Sequence, residues 1–261
     1  MRNKKRTAGM PMGVQAGKQE QGQGSRREEA GHMGKTAVLV SGGILEEQFA
    51  KEWLEKEREK VLVGIDRGAE FLFHRQVMPD YVVGDLDSMD REIADYYQHA
   101  EGVILRRFHP VKDATDTEIA IRLCIELKCD TVYILGATGG RLDHFWGNVQ
   151  SLAILLQAGV KGVILDSQNH ISLLGKGEVC LKRQEAYGPY FSLFPLGEEP
   201  VTVDVKGAKY PLTGHRLSAY NSLCVSNTFE EDTVAIRSYG GAAVLMQTRD
   251  GKKDGNERGA Q

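Results

Sequence analysis

Residues 36–65 read TAVLVSGGILEEQFAKEWLEKEREKVLVGI, and their pattern sets the fold. Thr36–Val40 is a short apolar run, Gly42-Gly43 turns the chain, and Leu45, Phe49, Trp53 and Leu54 fall at helical spacing within residues 44–60. Residues 61–65 form a second apolar run, so the segment reads strand, helix, strand. The rhythm continues outward. It predicts a short helix over 69–75, a strand over 81–83, a helix after Ser88 and a strand over 103–105. A helix over 116–127, a strand over 131–135, a helix over 143–157 and a strand over 162–165 follow. Strands alternating with helices imply an α/β fold, a mainly parallel sheet with helices on both faces.

Beyond residue 166 the texture changes. Short apolar segments at 171–174, 179–181, 190–194, 201–205, 222–226, 233–238 and 243–247 are separated by Gly, Pro, Asn and acidic turns, with no helical pattern among them. This predicts a smaller all-β domain, a sandwich or small barrel. The expected organisation is therefore 1–34 as a disordered basic extension, 35–168 as the α/β domain, 169–248 as the all-β domain and 249–261 as a disordered tail. The extension carries Arg2, Lys4, Lys5, Arg6, Lys18, Arg26 and Arg27 against Glu20, Glu28 and Glu29. It reads as a solvated tail, or as translation from a start upstream of Met33, with a nucleic-acid-binding arm as the alternative.

Composition narrows the function classes. The chain has 261 residues, 41% hydrophobic and 26% charged, with a formal charge of -3. That balance gives no reason to expect nucleic acid or a membrane as a partner, so any anion site must be local. The four cysteines, Cys124, Cys129, Cys180 and Cys224, have no zinc spacing and read as reduced, mostly buried hydrophobes. With no apolar run of membrane-span length and no secretory signal pattern, the expected compartment is cytoplasmic.

Three clusters carry the chemistry. Val83-Gly84-Asp85-Leu86-Asp87-Ser88, Asp113-Ala114-Thr115-Asp116 and Gly139-Gly140-Arg141-Leu142-Asp143-His144 lie beyond predicted strands or at predicted helix starts. Loops at the carboxyl ends of parallel strands are where open α/β sheets bind ligands, and Asp66 falls at another such end. Asp85 and Asp87, two apart, point the same way in an extended segment, as a shared metal would require. A turn explains such a pair equally well. Thr115 and Glu118 fit a helix capping box, which accounts for neither Asp113 nor Asp116. The glycines before Arg141 let backbone approach a phosphate, and the guanidinium can grip two oxygens at once. His144 reads as a catalytic base or as a hydrogen-bonded structural group. Gly34-Lys35-Thr36 is no P-loop, because Glu29 stands where the first glycine belongs and the strand follows the motif instead of preceding it.

Three carboxylates converging at around 5 Å would repel pairwise by roughly 3 kcal/mol at an effective dielectric near 20. A cation removes that cost. Magnesium suits an edge rich in aspartate and poor in histidine, since it binds through a few carboxylates plus phosphates and water.

Taken in order, these clusters together with Asn148 resemble the motif set of thiamine pyrophosphokinases. Gly207-Ala208-Lys209-Tyr210-Pro211-Leu212 and Val225-Ser226-Asn227-Thr228 resemble that family's two thiamine-domain motifs. The resemblance runs from about Thr36 to about Gln247 and implies transfer of pyrophosphate from ATP to the hydroxyethyl group of thiamine, giving thiamine diphosphate and AMP. It also implies a homodimer, with thiamine held between one subunit's α/β domain and the other's β domain. Asp85, Asp87 and Asp116 would hold magnesium and serve catalysis. Arg141 and Asp143 would fall at the nucleotide phosphates, with Asp66 in the loop framing them. Tyr210 would stack near thiamine, and Ser226 with Asn227 would contact its pyrimidine. The base is left among Asp116, Asp87 and solvent. Two departures stand out: Arg67 follows Asp66 where the family often has glycine, and would meet phosphate or pair outward; Tyr210 replaces tryptophan. The competing readings are another magnesium-dependent nucleotidyl or sugar-nucleotide transferase using Asp85 and Asp87, and a non-catalytic nucleotide-sensing dimer.

Overall fold

A computed structural model describes residues 34–56, 60–86, 89–106 and 114–251. The basic extension, Asp87 and Ser88, Asp113 and most of the C-terminal tail lie outside these residues.

The opening segment folds as its pattern requires. Strand β1 (Thr36–Val40), helix α1 (Glu47–Lys56) and strand β2 (Lys60–Ile65) form the βαβ unit, with β1 and β2 parallel and Val38 opposite Leu62. The strands β3 (Tyr81–Val83), β4 (Ile104–Arg106), β5 (Thr131–Leu135) and β6 (Lys161–Leu165) complete a parallel core in the order β6-β5-β1-β2-β3-β4. Helix α2 (Arg67–His74) follows β2, α3 (Arg91–His99) follows β3, α4 (Asp116–Glu126) follows β4 and α5 (Leu142–Gln157) follows β5.

Alternation along each strand feeds a core on either face. Ala37, Leu39, Val63 and Ile65 pack with Ile121 and Cys124 of α4 and with Val149, Leu152 and Leu155 of α5. Val38, Val40 and Leu62 pack with Leu54 of α1 and Leu72 of α2. Each buried aliphatic side chain in such layers contributes roughly 1.5–3 kcal/mol. The helices are thereby pinned, which fixes where their first turns stand.

The sheet does not stop at residue 168. Strands β7 (Asn169–Leu174), β9 (Tyr190–Leu196), β12 (Asn227–Thr228) and β14 (Ala242–Thr248) extend it antiparallel into ten strands, ordered β12-β9-β14-β7 before β6. A second sheet, β11-β10-β13-β8, contains β8 (Gly177–Lys182), β10 (Thr202–Lys206), β11 (Leu212–Arg216) and β13 (Thr233–Ser238). It packs on this extension as a sandwich. Ala243 and Leu245 of β14 join Val203, Val205, Val234 and Ile236, while Val244 between them faces α5's core. One strand therefore serves both cores.

Several expectations need correction. Helix α1 begins at Glu47, not at residue 44, because the preceding loop packs against the one after β5. Residues 222–226 are not a strand. Leu223 N donates to Asn221 Oδ1 at 3.2 Å, Val225 N to Ser222 O at 3.1 Å, and Ser226 has φ 57, so the segment turns instead. The strand β11, polar and glycine-containing at an edge, had no apolar pattern to announce it. Cys180 is exposed, since alternate residues of edge strand β8 face outward. Arg249 is anchored, its N–H donating to Gln168 O at 3.0 Å and its guanidinium 4.4 Å from the Tyr187 ring centroid.

Candidate active site

The carboxyl ends of β5, β1, β2 and β3 share one edge, and β1 is where the chain order reverses: β2 lies to one side of it and β5 to the other. Such a switch point is the usual ligand crevice of an open α/β sheet. Its floor is bare backbone. Ser41 N donates to Leu135 O at 2.8 Å and Gly43 N to Gly136 O at 2.9 Å. A Cβ on Gly43 would stand 2.4 Å from Gly136 O, and one on Gly136, at φ +66, 2.4 Å from Ser41 O. Only glycine fits at either position.

Next along the edge is Asp66, held at φ 48, ψ -122 as the residue preceding α2. Its N–H donates to Val83 O at 3.2 Å and its carbonyl accepts from Ala69 N at 2.9 Å, so β3 and the first turn of α2 fix the strained conformation. Its carboxylate lies over Gly84, where a Cβ would come 2.1 Å from Oδ1. Asp85 follows, exposed, and then Leu86 at φ 64 yet only 7% exposed. Strain is concentrated here. Of the five non-glycine residues with positive φ among the described residues, Gln76 and Lys128 end helices, while Asp66, Leu86 and Ser226 fall in the candidate motifs.

Asp116 opens α4 half-buried, and Thr115 caps the helix by accepting from Glu118 N at 3.2 Å. Only that half of the capping box forms among these contacts, because the Glu118 carboxylate is taken by Arg122 at 2.7 Å. The dipole of α4 favours the Asp116 carboxylate where it stands. Among the described residues no three His, Cys, Asp or Glu side chains gather as a metal site; Asp87 lies outside them.

After β5, Gly139 and Gly140 take φ 67 and 83 and lead to Arg141, the residue preceding α5. The Arg141 guanidinium forks onto Asp143, with Nε 3.1 Å from Oδ1, and both side chains are exposed. That guanidinium, aided by the His144 N–H, pulls the Asp143 carboxyl down to about 2. Asn148, one turn further along α5, donates to Ala137 O at 3.2 Å and so steadies the glycine loop. His144 is exposed at the helix start.

The remaining motif residues lie elsewhere. Tyr210 presents its ring to solvent, 56% exposed, while Asn227 beside it is buried. Asn227 Oδ1 accepts from Tyr210 N at 3.1 Å and Nδ2 donates to Tyr210 O at 2.8 Å. Its amide is engaged in holding Tyr210. Ser226, exposed, is fixed by its N–H donating to Ser192 Oγ at 3.0 Å. Asn227 starts β12 at one end of the long sheet, whereas Asp85 follows β3 near the other end. At about 4.8 Å per strand, Asn227 and Asp85 are separated by roughly 38 Å along the sheet, and Asn227 and the Arg141 loop after β5 by roughly 24 Å. A single chain does not bring them together. The motifs also gave no notice of the exposed Ile44, Leu142 and Trp146. Leu142, apolar within a charged segment, was the available signal.

Carboxylates, an arginine and bare glycine loops at the switch point of a parallel sheet, followed by a β-sandwich module, define a phosphate-handling α/β protein. The family model "Thiamin pyrophosphokinase, catalytic domain" matches residues 53–164, and "Thiamin pyrophosphokinase, vitamin B1 binding domain" matches residues 178–241. The chain belongs to the thiamine pyrophosphokinase family. It is 29% identical over 188 residues to the thiamine pyrophosphokinase of Bacillus subtilis (strain 168), covering 72% of this chain and 87% of that protein. The crystal structure of thiamine pyrophosphokinase from Bacillus subtilis superposes with a TM-score of 0.73 at 27% identity, over 83% of this chain and 100% of that one. That of Geobacillus thermodenitrificans gives 0.70 at 28% identity, over 83% and 99%.

Proposed function

We propose that the chain is an enzyme that transfers pyrophosphate from ATP to the hydroxyethyl oxygen of thiamine, giving thiamine diphosphate and AMP. The observation that carries this reading is the pair of family matches, one over residues 53–164, which bear the carboxylate edge, and one over residues 178–241, which bear Tyr210.

The transfer demands positioning and charge neutralisation more than covalent help. Asp85 and Asp116 offer hard oxygen donors, the kind magnesium takes in one or two copies beside substrate phosphates and water, and Asp87 would complete the set. Bound there, magnesium would offset charge on the phosphate oxygens. Arg141, exposed at the start of α5, would turn its fork to the phosphates, while Asp143 keeps it oriented until then. Asp66 and Asn148 hold the loops between which the nucleotide lies. Tyr210 would stack on a thiamine ring, Asn227 fixes the backbone that carries it, and Ser226 would reach the pyrimidine edge.

The two groups of residues belong to one site only if two chains share it. Their separation along the sheet supports a homodimer in which one subunit's Tyr210 faces its partner's carboxylate edge. The exposed Leu142 and Trp146 beside that edge, and Tyr220 and Leu223 near the other, are surfaces such a contact would cover. All four cysteines are free thiols, which suits the cytoplasm.

Incubating the protein with ATP, thiamine and magnesium tests the reading. Equal amounts of AMP and thiamine diphosphate are expected; ADP as the nucleotide product overturns it.

A further inference from the structure

Arg67 is the first residue of α2 and directly follows the strained Asp66. Its Cβ lies 3.1 Å from where a Cβ on Gly42 would stand, so its stem rests against the glycine loop after β1. The next residue, Gly68, packs so closely that a Cβ there would be 1.9 Å from Val40 O. The helix start is thus locked to the end of β1, which fixes the base of the arginine at the switch point. Arg67 is exposed, and no hydrogen bond or ion pair to a described residue engages its guanidinium. Arg141 on the other side of the crevice is occupied by Asp143. The outward salt bridge that would give Arg67 a merely structural role is not formed among the described residues.

We propose that Arg67 is a further polyphosphate-binding residue of this site, meeting ATP with a guanidinium fork that no described residue engages. This rests on the pyrophosphokinase reading and adds to it a residue that the motif set does not contain. A guanidinium with five donors suits two adjacent phosphate oxygens and is always charged.

Steady-state kinetics and calorimetry on the full chain test it. Arg67→Ala should raise the KM for ATP, and weaken ATP binding in the calorimeter, by about tenfold, as loss of a charge-assisted contact does. The KM for thiamine, inhibition by adenosine and the thermal midpoint should stay as in the wild type. Arg67→Lys should recover part of the ATP affinity, a point charge replacing a fork. Unchanged ATP affinity in Arg67→Ala, or equal rises in both KM values, overturns the proposal while leaving an active wild type and its pyrophosphokinase assignment intact. A wild type that forms no thiamine diphosphate overturns that assignment and this inference with it.

Discussion

The Asn227 side chain closes a ring of two hydrogen bonds with the backbone of Tyr210, accepting from its N–H at 3.1 Å and donating to its carbonyl at 2.8 Å. The same Oδ1 accepts from Thr228 N at 2.9 Å, so one buried amide joins β12 to the loop that carries the exposed ring. Asn227→Ala leaves three backbone groups without these partners. It should cost about 1–3 kcal/mol in denaturant unfolding. The KM for thiamine should rise well above any change in the KM for ATP. Equal changes in both would mean that Asn227 does not act through Tyr210.

The Arg141 and Asp143 pair makes a pH prediction. The folded carboxyl lies at about 2, below its ordinary value of 3.8, with the Arg141 hydrogen bond as the main cause. A depressed carboxyl contributes stability that is present above the unfolded value and is lost as pH falls through the folded one. The window is therefore from about pH 4 down to about 2, and the effect is small because both groups are exposed. Carbon-detected NMR should find Asp143 titrating near 2 in the wild type and moving upward in Arg141→Gln. Its ionisation should leave no inflection in activity above about pH 5.

Glycine substitutions separate close approach from backbone strain. In Gly68→Ala the new methyl would meet Val40 O at 1.9 Å, which forces α2 away from β1. A loss of about 3 kcal/mol or more is expected. Gly140→Ala meets nothing within 4 Å but sits at φ +83, so about 1–2 kcal/mol is expected. Urea midpoints compare the two, and the order should not invert.

Asp85→Asn keeps the shape of the loop after Gly84 and removes one negative charge. The turnover number should fall by at least about a hundredfold, as expected for a group that organises charge in a transition state. Thiamine binding, followed by fluorescence quenching, should be nearly unchanged. Near wild-type turnover would remove Asp85 from the phosphate site.

The βαβ opening and the carboxylate edge were legible because periodicity fixes which residues face the sheet, and the parallel connection then fixes the edge at which Asp66, Asp85 and Gly136 emerge. Thr115 and its cap were legible for a local reason, a side chain bonding three residues ahead. What escaped was non-local. Nothing near residue 168 signals that β7 pairs with β6, since strand pairing depends on partners far along the chain. The role of Asn227 in holding Tyr210, 17 residues away, is of the same kind. The turn at 221–226 was hidden by apolar Leu223 and Val225, which look like strand residues but stand exposed.

The proposed reaction moves an intact pyrophosphate from ATP to thiamine. ATP labelled in its terminal phosphate, incubated with the protein, thiamine and magnesium, tests it most directly. The label should appear in the outer phosphate of thiamine diphosphate, with unlabelled AMP accumulating in equal amount. Labelled thiamine monophosphate with ADP would contradict it.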